Sequence, residues 1–169
     1  MENYLVINGK RVDFTEEQIK QLGLEVEKKS PFDRVDTNKT YWYIHPSGRI
    51  DWYLEREQRG DKDFFNAANY CTDKALLTER AKEEVLSRLL WRFSMENGGS
   101  EIDWENKEQK KYYFYKNPTY NGWEISYTTV FSDLGLVYFI SVEVAARAID
   151  EIVKPFYAGE LEVCKIWEE

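Results

Sequence analysis

Few residues in this chain are of types that do chemistry, and their spacing gathers them into no familiar centre. His45 is the single histidine and sits beside Pro46 in a turn signal. Without partner histidines or cysteines it builds no zinc site. Cys71 and Cys164 are far apart and outside any metal or redox spacing, so both read as buried thiols rather than a disulfide. No serine or cysteine stands in a nucleophile-elbow context and no glycine-rich phosphate loop is present. The one combination with catalytic content is carboxylates beside lysines, at Asp103-Trp104-Glu105-Asn106-Lys107 and Glu27-Lys28-Lys29, as a magnesium-dependent nuclease requires. With 31 acidic and 23 basic residues such triplets arise by chance, so the expectation is a protein with no catalytic residue, metal or cofactor.

Binding is the chemistry that remains. Asp51, Glu55, Glu57, Asp61 and Asp63 supply negative charge around one aromatic strand and the polar loop after it, with Trp52 and Tyr53 as rigid anchors. Strand alternation puts Asp51 and Tyr53 on one face and Trp52 on the other. The formal net charge of −8 opposes a long contact with a nucleic-acid backbone and favours a partner protein with a basic surface. A nucleic-acid accessory protein is the rival expectation: Lys107, Lys110, Lys111 and Lys116 lie beside Tyr112, Tyr113 and Tyr115, and stacking aromatics flanked by lysine hold single strands.

The elements that must position these residues come from a repeated pattern. The first copy reads Tyr41-Trp42-Tyr43-Ile44, a turn at Pro46-Ser47-Gly48, Arg49-Ile50-Asp51-Trp52-Tyr53, then Asn69-Tyr70-Cys71-Thr72 opening a helix. The second reads Tyr112-Tyr113-Phe114-Tyr115, a turn at Asn121-Gly122, Trp123-Glu124-Ile125-Ser126-Tyr127, then Val137-Tyr138-Phe139-Ile140-Ser141 opening another. Matching them sets Gly48 with Gly122, Tyr53 with Tyr127 and Tyr70 with Tyr138. The fold class this predicts is α+β: two related β-β-β-α units with antiparallel sheet and helices on one face, preceded by an N-terminal β-hairpin and short helix. The expected divisions are 1–39, 40–100, 101–155 and an acidic tail over 156–169, all in one globule.

Local signals place the ends of these elements. Asn8-Gly9 between Tyr4-Leu5-Val6-Ile7 and Lys10-Arg11-Val12-Asp13-Phe14 predicts a hairpin turn, and Thr15-Glu16-Glu17-Gln18 a capping box, with Phe14 stapled onto Ile19 and Gly23 as the stop. Thr72 is the expected cap of a long helix whose stripe is Leu77, Ala81, Val85, Leu89 and Phe93, widened by Leu86 and Leu90, and stopped at Asn97-Gly98-Gly99. Residues 101–111 read as a charged surface loop with Trp104 folded inward. A last helix should run from Ser141 until Pro155 ends it. The start of the chain has neither a basic leader nor a long apolar run, which gives a cytosolic expectation with no membrane contact.

Several stretches carry a resemblance: Tyr41 to Glu55, Asn69-Tyr70-Cys71-Thr72-Asp73-Lys74, Leu89 to Gly99 with its Trp91-Arg92-Phe93-Ser94-Met95-Glu96-Asn97-Gly98-Gly99, and Lys110 through Val137-Tyr138-Phe139 to Ile149. From Tyr41 onward the chain resembles a family of uncharacterised proteins from phages and prophages of Gram-positive bacteria; the N-terminal hairpin and helix fall outside the likeness. The resemblance implies a mobile element acting inside a bacterium and brings no catalytic residues. It also implies that Cys71 fills core, since a phenylalanine is commoner there. Taken with the charge, it points to a stoichiometric inhibitor of a bacterial anti-phage defence effector, such as a CRISPR-Cas component.

Overall fold

The computed structural model describes residues 4–7, 9–23, 30–119 and 122–167 and divides the chain into two compact units, 1–33 and 34–169. In the first unit β1 (Tyr4–Ile7) pairs antiparallel with β2 (Lys10–Asp13), with Ile7 opposite Lys10. That register leaves a two-residue turn; its Gly9 adopts φ +77°, the left-handed backbone a tight hairpin needs, and Asn8 lies outside the described residues. The capping box at the head of α1 (Glu16–Gln21) forms as expected: the Thr15 N–H donates to Gln18 Oε1 at 2.9 Å and the Gln18 N–H to Thr15 Oγ1 at 3.3 Å. The Phe14 staple rests on the Ile19 side chain, which is not among those described.

The second unit holds both copies of the repeat. In the first copy β3 (Thr40–Ile44) pairs antiparallel with β4 (Ile50–Leu54), and an isolated antiparallel bridge from Trp42 to Cys71 adds the third strand. Two residues later Asp73 caps α3 (Lys74–Glu96), its carboxylate accepting from the N–H groups of Ala75 and Leu76. Thr72, the cap expected from the sequence, is still in the strand-to-helix connection. In the second copy β5 (Lys111–Asn117) pairs antiparallel with β6 (Gly122–Thr128), Tyr112 bridges to Phe139, and Ser141 caps α4 (Val142–Ala148) two residues later. The molecule is therefore the expected α+β fold with two β-β-β-α units.

The bridges also correct the alignment of the copies. Trp42, opposite Trp52 and Cys71, corresponds to Tyr112, opposite Tyr127 and Phe139; the counterpart of Tyr127 is Trp52, not Tyr53. Cys71 thus occupies the place of Phe139, and both are fully buried, as core fillers are. Gly48 and Gly122 are not equivalent either. Gly48 turns the first hairpin at φ +91°, whereas Gly122 is the first residue of β6, opposite Asn117.

Two helical features depart from expectation. Residues read as a polar loop form α2 (Arg59–Asn66), whose Phe64 ring lies 4.4 Å from that of Tyr43, on the side of the hairpin opposite Trp42. Pro155 does not stop the last helix: α4 passes through a π-helical turn, Ile149–Val153, into α5 (Lys154–Tyr157). The wider turn resets the bonding pattern so that the proline, lacking an N–H, falls in the first turn of a new α segment, where none is needed.

Helix α3 is the spine that both hairpins share. Leu77 and Ala81 pack with Ile44, Cys71, Trp42 and Ile50 of the first copy, while Leu90 and Phe93 pack with Phe139, Phe114, Ala145, Ala148 and Val153 of the second. Between them Val85 joins Phe156 and Cys164 of the C-terminal segment, whose 3-10 turn (Glu162–Trp167) is pinned by the Trp167 indole donating to the Gly48 carbonyl at 3.0 Å. Buried Ser94 ties the same helix to the second copy through the Tyr138 carbonyl. No described helix is long and apolar enough to cross a membrane.

Candidate interaction surface

Burial divides the seven residues singled out from the sequence into two groups. Glu55 and Asp61, at 1% and 2% exposed, are interior. Glu55 receives a two-pronged contact from the Arg34 guanidinium, at 2.7 and 2.9 Å, together with the Tyr70 hydroxyl at 3.1 Å and the Glu57 N–H at 2.7 Å. The Arg34 hydrogen bonds hold its carboxyl below the usual range, against the opposing effect of burial. Asp61 accepts from the Tyr41 hydroxyl at 2.8 Å and from the N–H groups of Arg56 and Gln58 at 3.0 and 2.9 Å. Burial pushes that carboxyl up, but these donors outweigh it and hold it below its ordinary value.

The tyrosines on these acids feel the converse. Burial and the nearby carboxylates push the Tyr70 hydroxyl up to about 12 and raise that of Tyr41 as well, their rings stacked 4.0 Å apart. Arg34, Tyr41, Glu55, Asp61 and Tyr70 thus form one satisfied interior network that fastens residues 34–37 and α2 to the hairpin. Burial withdraws Glu55 and Asp61 from any contact surface.

The other five lie nearer the surface: Asp51, Trp52 and Tyr53 on β4, Glu57 in the turn after it and Asp63 on α2. Trp52 is 56% exposed and Tyr53 45%, on opposite sides of the strand. Asp51 is half-buried and paired with Arg49 at 2.6 Å; Glu57 accepts from the Thr37 hydroxyl; Asp63 is exposed with Arg59 at 3.7 Å. Main-chain geometry gives this strand a further property. Trp42 exchanges both hydrogen bonds with Cys71, at 2.7 and 3.0 Å, so its N–H and C=O point away from β4. Trp52 opposite it is then in a non-hydrogen-bonded pair, and the main-chain groups of Ile50, Trp52 and Leu54 point outward, with no partner among the described residues. A chain laid along this open edge meets Trp52 on one side and Tyr53 on the other, so alternation does not force a choice between the two anchors.

The residues of the rival expectations divide between interior and surface. Lys111 is fully buried, its ammonium donating to the Asn106 carbonyl at 2.6 Å and lying 5.6 Å from the centre of the Trp104 ring. Trp104, expected to fold inward, is instead 42% exposed, with its ring edge-on to Tyr138 at 4.9 Å. Tyr112 packs against the core, Tyr113 and Tyr115 share the other face of β5 with ring centres 6.5 Å apart, Tyr115 donates to Glu124, and Lys110 sits 4.4 Å above the Tyr127 ring. Asp103 accepts the Glu105 N–H, Glu27 lies outside the described residues, and among the described residues no group of three His, Cys, Asp or Glu is placed to hold a metal ion. The His45 ring is half-buried and bonded to Ser47 Oγ at 2.9 Å within its own turn. Searches against protein-family models, curated proteins and solved structures return no match to this chain.

Proposed function

We propose that this is a non-catalytic phage protein that binds a bacterial anti-phage defence effector, such as a CRISPR-Cas component, in the cytoplasm of the host and inhibits it stoichiometrically. The observation that carries the proposal is the open edge of β4, where a largely exposed tryptophan stands on a strand whose outward main-chain groups have no partner among the described residues. Unpaired edges are ordinarily blunted or covered because they recruit other chains, and addition of a strand to an edge is a recurrent mode of protein recognition. Trp52 and Tyr53 serve as anchors, and Asp51, Glu57 and Asp63, within a chain of net charge −8, steer a partner whose docking surface is basic, as nucleic-acid-binding effectors offer. The phage-family resemblance supplies the biological setting.

The test is titration of wild type and variants against the host protein that the wild-type chain captures. Loss of a central anchor should weaken binding by about 2 kcal/mol, roughly thirtyfold. Glu57→Lys with Asp63→Lys should instead slow association and flatten its salt dependence. Affinity indifferent to all of these changes rules out this surface, and specific binding of single-stranded oligonucleotides would favour the nucleic-acid accessory role.

A further inference from the structure

The second hairpin has an open edge of its own that the proposed partner contact does not use. Tyr112 exchanges both main-chain hydrogen bonds with Phe139, at 2.9 and 2.7 Å, which turns its N–H and C=O away from β6. Tyr127 opposite it is therefore a non-hydrogen-bonded partner, and the N–H and C=O groups of Trp123, Ile125 and Tyr127 point outward from β6 with no partner among the described residues. At seven residues β6 is longer than β4, which has five. Its helix-side face is apolar, with Trp123 and Ile125 half-buried, Tyr127 51% exposed, and Tyr157, 66% exposed, 6.1 Å from the Trp123 ring.

The residues along this edge read the same from either end. Trp123-Glu124-Ile125-Ser126-Tyr127 is aromatic, polar, aliphatic, polar, aromatic, symmetric in type about Ile125. We infer that β6 pairs antiparallel with β6 of a second copy of this chain, about a two-fold axis at Ile125, to give a continuous four-stranded sheet in the order β5, β6, β6, β5. An isologous contact requires such a self-complementary patch.

In that register Ile125 faces Ile125, and each Trp123 faces a Tyr127. All three facing pairs are ones whose outward N–H and C=O groups can be exchanged, so every open main-chain group of Trp123, Ile125 and Tyr127 is satisfied. The facing side chains are an aromatic pair twice and an aliphatic pair once, the combinations that favour sheet pairing. Charge agrees with the same occupant. Glu124 is the sole residue of β6 that is charged at neutral pH; it is held by Tyr115 and Asn117 of its own hairpin and falls opposite Ser126 of the second copy, so no like charges oppose each other. The contact involves neither β4 nor its anchors and stands independently of the proposed function.

Analytical ultracentrifugation of the full chain across a wide concentration range tests the pairing. A reversible monomer–dimer equilibrium is expected. Ser126→Glu sets a carboxylate opposite Glu124 twice across the two-fold and should raise the dimer dissociation constant by about fivefold, while Ser126→Lys should lower it by about as much. Because the two variants alter one site in opposite senses, a general loss of fold would not mimic the result. A chain that stays monomeric at every concentration overturns the inference, as does a dimer that the two variants leave unchanged or shift in the same direction.

Discussion

Replacing Asp61 by alanine should expose how much of the first copy depends on a charge that looks, in sequence, like part of an acidic loop. The carboxylate is 2% exposed and accepts three hydrogen bonds, from the Tyr41 hydroxyl and two main-chain N–H groups at the head of α2. A hydrogen bond to a charged group contributes about 1.5–3 kcal/mol and a helix cap about 1 kcal/mol, but the three donors share one acceptor and their losses do not add. The Arg56 and Gln58 N–H groups are near the surface and gain water, whereas the Tyr41 hydroxyl, on a fully buried side chain, does not. A net loss of about 3 kcal/mol follows, a large fraction of the stability of an ordinary domain. Asp63→Ala, two residues along the same helix, removes an exposed charge with Arg59 at 3.7 Å and should change stability by no more than about 0.5 kcal/mol. Urea unfolding at neutral pH, with the midpoint compared at constant slope, measures both. Adding Tyr41→Phe should recover part of the Asp61→Ala loss by removing the orphaned hydroxyl. Equal effects of the two aspartate variants, or full additivity of Tyr41→Phe with Asp61→Ala, would refute the interior role.

Gly48→Ala should cost about 3 kcal/mol, because the position needs φ +91° and an added Cβ would run into Cγ2 of buried Val85 on α3; Gly135→Ala, at φ +88° with open space around it, should lose only about 1 kcal/mol, and thermal midpoints separate the two. Stability should fall at both ends of the pH scale. Glu55 and Asp61 have folded values below their unfolded ones of about 4, so their contribution is full above that pH and is lost as pH falls through the folded values. Tyr41 and Tyr70 are raised above their unfolded value of about 10, so theirs is full below that pH and is lost as pH rises through about 12 for Tyr70. Urea midpoints that stay level across the acid window in wild type, or decline equally in an Asp61→Asn variant, would contradict this assignment.

The repeat was legible in the sequence because its signals are local. Alternating aromatics, a turn glycine and a capping residue lie within a few positions of one another, and the four-residue stripe of α3 needs no knowledge of its partner. Helix α2 was not legible: its apolar residues, Phe64 and Phe65, are adjacent, so Arg59-Gly60-Asp61-Lys62-Asp63 shows no period and reads as a loop. The burial of Glu55 and Asp61 was hidden for a different reason. Their partners Arg34, Tyr70 and Tyr41 stand 21, 15 and 20 residues away, and only closure of the hairpin brings them together. The open edges depend on which side of β3 and β5 the third strand takes, which the bridges at Cys71 and Phe139 decide and no local pattern reveals.

Amide hydrogen exchange on the complex with the captured host effector tests the partner contact most directly, because it reads main-chain groups one by one. The amides of Ile50, Trp52 and Leu54, which point outward with no partner among the described residues, should exchange readily in the free protein and be strongly slowed when the effector is bound. Protection that leaves these three amides unchanged and appears elsewhere on the molecule would contradict docking at the β4 edge.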